Sequence, residues 1–406
     1  MKINDVVTVP VHGGFFYDDL AAIRQGAAKD HQWYEGEPVT PGFTAVRMPA
    51  RGLGIGLVLE DGRTVWGDAV AVQYSGAGGR EPLFTPDVRV VEELRAVLSG
   101  RRITGFRQTL GEVLADFGRE RTALVYGLSQ ALLGAAAAAA GRTMCEVVCR
   151  EYGFPLPHKP VPVYAQSGDD RRGNADKMLI KRVDALPHGL VNNRAKFGPE
   201  GRTLLDYIAW LVRRTGRLAD NTYRPVLHFD VYGMAGREFG RDIERVADYL
   251  IEAERVARPY PLRVESPIDF GGRQAQIDGL RRLREAVGRR GGTVRIVADE
   301  WCNTLADIRE FVAAGACDMV QIKMPDLGSV EDSILGVREC REAGVGAFLG
   351  GSCAETELSA RVSVHVALAT GPEMQLAKPG MGVDEGLMIV ANEQARVLAM
   401  LGGRAA

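Results

Sequence analysis

From Val161 onward, short apolar runs alternate with longer amphipathic ones, and this alternation restricts the fold more than any other property of the chain. The short runs are VPVYAQ (161–166), a run near LPHGLV, PVLHFDV (225–231), PLRVES (261–266), VRIVADE (294–300), DMVQIK (318–323), VGAFLGG (345–351) and MQLAK (374–378). Helical patterns fall between them, among them 237–257, 273–288, 306–314 and 330–343. Eight β-then-α units in roughly 245 residues fit a (β/α)8 TIM-type barrel, which takes ~250. A doubly wound sheet is the rival. It would carry a glycine-rich phosphate turn after its first strand, whereas this chain has Gln166-Ser167-Gly168-Asp169-Asp170. The second strand is the least distinct, because MLIKRV just before it also carries a helical pattern.

Residues 1–160 read differently, as a mixed α+β unit. Two β-like runs, 54–60 and 63–70, flank Asp61-Gly62, a hairpin signal. Helical patterns follow over 121–141, with its alanine run, and over 143–152. Three prolines within 153–160 break the pattern. The expected organisation is therefore an N-terminal α+β capping domain over 1–160 and a C-terminal barrel over 161–406.

Barrel chemistry gathers at the C-terminal ends of strands. Within these runs the third strand is expected to end His228-Phe229-Asp230, the fourth Arg263-Val264-Glu265, the fifth Val297-Ala298-Asp299 and the sixth Gln321-Ile322-Lys323. The intervals Asp230 to Glu265 and Glu265 to Asp299 are 35 and 34 residues, one βα unit each. Any one acidic strand end is ordinary; three in register, followed by a lysine, point to a site. Three oxygen donors without cysteine or clustered histidine suit a hard octahedral cation, Mg2+ with Mn2+ as substitute. Side chains two apart share a strand face, so Gln321 is expected to point inward with Lys323, and His228 with Asp230. His228 is read as filling a barrel layer rather than ligating. Such a site can take a proton from carbon next to a carboxylate, the cation stabilising the enediolate and the amine acting as base.

Composition sharpens one residue. Only 8 of the 50 basic residues are lysine. Arginine does not give up its proton in a protein, whereas lysine does, so each retained lysine asks whether arginine would fail there. The net charge of -2 gives no reason to expect a nucleic-acid or anionic-membrane partner. No apolar run reads as reaching the ~20 residues of a membrane span, and the N-terminus lacks a signal-peptide pattern. The six cysteines form no C-x-x-C pair, as expected of a reduced, cytoplasmic protein, and Cys145 and Cys149 read as one buried helix face.

These residues sit in longer strings: AVQYSGAGGR (71–80), VPVYAQSGDDR (161–171), LPHGLVNN (186–193), HFDVYG (228–233), RVESPID (263–269), VADEWCNT (297–304), VQIKMPDLG (320–328), GGSCAET (350–356) and LAKPGMGVDEGLMIV (376–390). In order and over most of its length, the chain resembles the enolase superfamily and, within it, the methylaspartate ammonia-lyase family. The resemblance implies reversible removal of ammonia from L-threo-3-methylaspartate to give mesaconate, with Mg2+, activation by K+, a homodimer and a place in glutamate breakdown. It implies that Asp230, Glu265 and Asp299 ligate metal and that Lys323 takes the C3 proton. His188 corresponds to a second group on the opposite face, acting on the other C3 epimer. Gln73, Gln166, Gln321, Ser352 and Cys353 correspond to contacts to the substrate or its carboxylates, and Leu376 to a pocket-lining position. Three departures bear on pocket shape: Ser352 stands where threonine is expected, Phe348 where tyrosine is, and Tyr164 where phenylalanine is. Another enediolate-forming enzyme of the superfamily, a racemase, cycloisomerase or acid-sugar dehydratase, is the alternative.

Overall fold

The structure is a computed structural model that describes residues 1–403 apart from 219 and 221; the last three residues of the expected barrel domain lie outside it. Eight parallel strands close into a barrel. In order they are Val163–Tyr164, Ala185–His188, Val226–Asp230, Leu262–Glu265, Arg295–Ala298, Met319–Ile322, Gly346–Leu349 and Met374–Leu376, the eighth pairing back to the first. Each overlaps one of the eight apolar runs. Side chains from successive strands fill the interior: Tyr164, Ala185, Val297, Met319, Phe348, Met374 and Leu376 are buried together. Phe348 meets Tyr164 edge to face at 5.6 Å. The barrel is thus a packed core, and truncating a ring of this size in such a core costs about 3–5 kcal/mol.

Three element boundaries differ from the sequence expectation, each for a local reason. The first strand is two residues long, because Pro160 and Pro162 have no N–H to give a ladder. The second stops at His188, where His188, Gly189 and Leu190 take left-handed backbone angles and the chain turns away. The expected helix over 237–257 is two helices, Met234–Glu238 and Ile243–Ala257. Gly240 and Arg241 turn left-handed between them, and Asp242 accepts the first free N–H groups of the second. The helices after the fifth and seventh strands start at Thr304 and Thr356, each closed by a reciprocal capping box.

The N-terminal residues build a three-stranded antiparallel sheet, Ile3–Asp18, Arg47–Leu59 and Thr64–Ala69. Its hairpin turns at Gly62, left-handed as the Asp61-Gly62 signal requires. The sixteen-residue first strand had no counterpart in the sequence reading. Helices Val90–Leu98, Phe106–Phe117, Thr122–Ala140 and Met144–Tyr152 pack behind the sheet. Cys145 and Cys149 are buried in the last of these, and all six cysteines are free thiols. One expectation needs correcting. Thr122–Ala140 is long and apolar enough to cross a membrane by length and composition. Its alanines and leucines instead pack inside the protein, where 78% of that stretch is buried. Two glycines let the sheet approach this helix closely: a Cβ on Gly67 would lie 2.0 Å from the Gly127 carbonyl oxygen.

One contact between this unit and the barrel carries a titratable group. Asp68, at the end of the hairpin, accepts a hydrogen bond from the Thr356 hydroxyl at 2.5 Å. Burial pushes its carboxyl up to about 6. A raised carboxyl stabilises the fold fully below the unfolded value, and that stability is lost as pH rises through about 6. Asp68→Asn stays neutral at every pH. The variant is expected to match the parent near pH 3.8 and to exceed it above pH 6, by at most about 3 kcal/mol for a shift of about two units. Chemical denaturation across that range checks this; a gap that does not change with pH would refute it.

Candidate active site

Four consecutive strands carry the acidic and basic groups to one rim. The third ends at Asp230 and the fourth at Glu265, partners across the parallel ladder. Asp299 is the first residue beyond the fifth strand and Lys323 the first beyond the sixth. One oxygen from each of Asp230, Glu265 and Asp299 lies within 4.8 Å of the other two, and all three residues are buried. Lys323 Nζ lies 2.8 and 2.9 Å from the two oxygens of Asp299.

The charges are unequal in their surroundings. Burial raises the Asp230 carboxyl well above its ordinary range, and Glu300 and Asp299 add repulsion. Burial and then Asp230 and Asp299 do the same to Glu265. Burial acts on Asp299 too, but the Arg80 guanidinium and the Lys323 ammonium outweigh it and hold that carboxyl below its usual range. Arg80 comes from the N-terminal unit, on the loop after the hairpin. It donates to Asp299 at 2.7 Å and to Asp326, just past Lys323, at 2.8 Å.

This arrangement fits a hard divalent cation. Glu265 Oε2 lies 2.9 Å from His228 Nε2, but Glu265 Oε1 is buried with no hydrogen-bond partner among the described residues. An orphaned buried carboxylate oxygen beside two further carboxylates costs several kcal/mol unless a cation takes it up. All three candidate donors are oxygens. His228 is not among them. It stacks on Tyr164 at 4.4 Å inside the barrel, and burial keeps its ring neutral. A neutral ring with its proton on Nε2 donates to Glu265 and orients it.

His188 ends the second strand, four strands from Lys323 in a ring of eight and hence across the barrel mouth. Its Nε2 lies 3.6 Å from Asp230 and 3.5 Å from the Tyr232 hydroxyl. Burial first, then the charge of Lys323, lowers its pKa to about 3, so it is a neutral imidazole at working pH.

A narrow cleft joins these groups. It is lined by Gln73, Gln166, His188, Asp230, Gln321, Lys323, Ser352, Cys353 and Leu376, together with Arg80, Tyr74 and Tyr232. Nine of the eleven residues singled out in the sequence line this cleft, and the other two, Glu265 and Asp299, meet it through Asp230 in the carboxylate cluster. Gln166 Nε2 and Gln321 Oε1 are buried without hydrogen-bond partners among the described residues. Gln73 is held differently, donating from Nε2 to Asp18 at 2.9 Å while its Oε1 accepts from the Cys353 thiol at 3.2 Å. The Ser352 hydroxyl accepts the Gln73 backbone N–H at 2.9 Å, so the hydroxyl kept at that position has a partner. Arg80, Tyr232, Glu300 and Asp326 were not identified beforehand. Arg80 lay among 42 scattered arginines, and only its place at the end of the AVQYSGAGGR string set it apart.

Known proteins match both parts of the chain. The family model for the methylaspartate ammonia-lyase N-terminus matches residues 1–153, and that for the C-terminus matches residues 155–402. Methylaspartate ammonia-lyase 1 of Carboxydothermus hydrogenoformans is 52% identical over 99% of this chain and 97% of its own. The crystal structure of the Citrobacter amalonaticus methylaspartate ammonia-lyase, which contains (2S,3S)-3-methylaspartic acid, superposes with a TM-score of 0.94. It is 44% identical and covers 99% of this chain and 100% of that one. The Mg complex of the Clostridium tetanomorphum β-methylaspartase superposes at 0.91, with 46% identity and full coverage of both chains. With matches of this length in sequence and in fold, the chain is an enzyme of the methylaspartate ammonia-lyase family.

Proposed function

We propose that this enzyme removes ammonia reversibly from L-threo-3-methylaspartate to give mesaconate, with Lys323 as the base at C3. The observation that carries the reading is the set of three buried carboxylates within 4.8 Å of one another with Lys323 Nζ 2.8 Å from one of them. Asp230, Glu265 and Asp299 would hold Mg2+, for which Mn2+ could substitute. When bound, the cation supplies positive charge against the negative charge that develops on the substrate carboxylate. The residues do the rest. A base needs a lone pair, which lysine has as the free amine and arginine never presents. Lys323 takes the C3 proton, and the electron pair left at C3 forms the double bond as the C2 amine departs. Gln166 and Gln321, with their unpartnered amide atoms, orient the carboxylates without adding charge. The buried cleft excludes water from the carbanionic stage. K+ as activator, a homodimer, a cytoplasmic setting and a capping role for residues 1–160 belong to the same proposal.

Purified protein incubated with L-threo-3-methylaspartate and Mg2+ is expected to release ammonia and raise the ultraviolet absorbance of an unsaturated diacid. Exchange of the C3 hydrogen with solvent but no ammonia would instead favour a racemase-like enzyme of the superfamily. Neither exchange nor ammonia would refute both.

His188 gives this reading a second face. Being neutral and opposite Lys323, it can reach the C3 hydrogen of the erythro epimer. His188→Ala is expected to lose erythro turnover by about 10²-fold, the lower end for a positioned acid or base, while threo turnover falls much less. Steady-state rates on both epimers check this, and an equal loss on both would remove the role.

A further inference from the structure

Lys378 is one of the eight lysines, and neither the metal set nor the proton transfer uses it. It lies two residues beyond the eighth strand, next to the cleft, and is fully buried. Its Nζ donates to both oxygens of Glu355, at 2.9 and 3.1 Å, and to the Gly350 carbonyl at 2.9 Å. Glu355 is equally buried. Its carboxylate also accepts from the Ser352 backbone N–H at 2.7 Å and from the Tyr126 hydroxyl at 2.6 Å. Tyr126 belongs to the N-terminal helix Thr122–Ala140. The Glu355 carbonyl accepts from Gly14 at 2.7 Å, a second tie to the N-terminal unit.

Each of these bonds ends on the segment 350–355. That segment presents Ser352 and Cys353 to the cleft and, through them, holds Gln73. The space is fully used: a Cβ on Gly351 would lie 2.1 Å from a Glu355 oxygen and 2.3 Å from Lys378 Nζ. Gly351 also has φ +152, which disfavours any side chain. A buried pair is a poor choice for stability alone, since apolar residues of the same shape commonly do as well or better.

We propose that the Lys378–Glu355 pair is a positioning device: it fixes the 350–355 segment against both the barrel and the N-terminal unit, and so sets Ser352, Cys353 and Gln73 for substrate. The inference rests on the proposed ammonia-lyase reading. Its test therefore includes a measurement that needs no turnover.

Three variants separate positioning from stability. Lys378→Met leaves Glu355 buried and unpaired, and is expected to lower Tm and raise KM together. The double variant Lys378→Met with Glu355→Gln removes both charges at nearly constant volume, and should recover most of the Tm. It should not recover KM. The carboxylate accepts Ser352 N–H and Tyr126 OH on separate oxygens. A glutamine amide keeps only one of these as an acceptor and reverses the other, weakening charge-assisted bonds to neutral ones, and the Gly350 carbonyl has lost its donor. We expect KM for 3-methylaspartate to stay at least tenfold above the parent, with a smaller change in kcat. Tyr126→Phe, which spares the pair, should raise KM severalfold at near-parental Tm, and keeps the question open to refutation if the others fold poorly. Without substrate, alkylation of Cys353 by iodoacetamide, followed by peptide mass spectrometry, should quicken at least tenfold in the double variant while the other five cysteines keep their rates. A double variant with parental KM and parental Cys353 labelling would overturn the proposal. An inactive parent would overturn the ammonia-lyase reading, and Cys353 labelling would still decide the positioning.

Discussion

Lys323→Ala is expected to lower kcat for ammonia release from L-threo-3-methylaspartate by about 10³-fold, within the ~10²–10⁴-fold that a positioned general base contributes. The divalent-cation titration of the free enzyme should stay nearly unchanged. The geometry gives the reason. Lys323 Nζ contacts both oxygens of Asp299, so its removal takes one cation from that carboxylate. Arg80 remains at 2.7 Å and keeps Asp299 ionised. The carboxylate set therefore survives, while the group that accepts the C3 proton is gone. Lys323→Arg should fare no better than alanine despite keeping the charge, because a guanidinium presents no lone pair. Two readouts check the prediction: deuterium uptake at C3 in heavy water and calorimetric titration with Mg2+. Exchange that continues at the parental rate in Lys323→Ala would move the base to another residue.

The part of this site on the barrel strands was legible because eight βα units in ~250 residues average about 31 residues each, so acidic strand ends spaced about one unit apart fall on neighbouring strands. A spacing of 35 and then 34 residues puts Asp230, Glu265 and Asp299 on successive strands before any coordinate is known. The scarcity of lysine singled out Lys323. What stayed hidden was whatever depends on contacts between distant stretches. Arg80 reaches Asp299 across 219 positions of sequence, and Tyr126 reaches Glu355 across 229; neither has a local period to reveal it. Lys378 was in plain view within LAKPGMG, but a lone lysine after a strand does not disclose that its partner is a glutamate on the preceding loop. Helix and strand boundaries were blurred for a related reason. Where the chain turns at His188 or Arg241, a non-glycine residue adopts a left-handed conformation that its type does not announce. The Thr122–Ala140 helix shows the converse. Its apolar composition is compatible with a lipid span or a protein core, and only its neighbours decide between them.

Asp299→Asn tests the metal reading where the coupling is tightest. The amide keeps the shape of the carboxylate but removes its charge and replaces one acceptor oxygen with a donor. In the parent, Asp299 faces Arg80, Lys323 and the two other carboxylates at once. In the variant, Lys323 loses its ion-pair partner, whereas Arg80 keeps Asp326 at 2.8 Å. The cation would lose one of three anionic ligands and meet the unbalanced charge of Lys323 nearby. Mg2+ affinity should therefore fall by more than the ~10–100-fold that loss of an outer partner typically costs. Both the rate and its Mg2+ dependence should collapse together, and added Mg2+ should restore only part of the rate. Asp326→Asn is the control, because it loosens Arg80 but leaves all three carboxylates in place. It should shift the Mg2+ titration far less than Asp299→Asn does. A parental Mg2+ isotherm in Asp299→Asn would remove Asp299 from the ligand set and leave it as the counter-ion of Lys323 and Arg80. Equal weakening in both variants would instead place the effect in the Arg80 contact from the N-terminal unit. Because the titration is read without substrate, these outcomes are distinguished whatever the variants do to turnover.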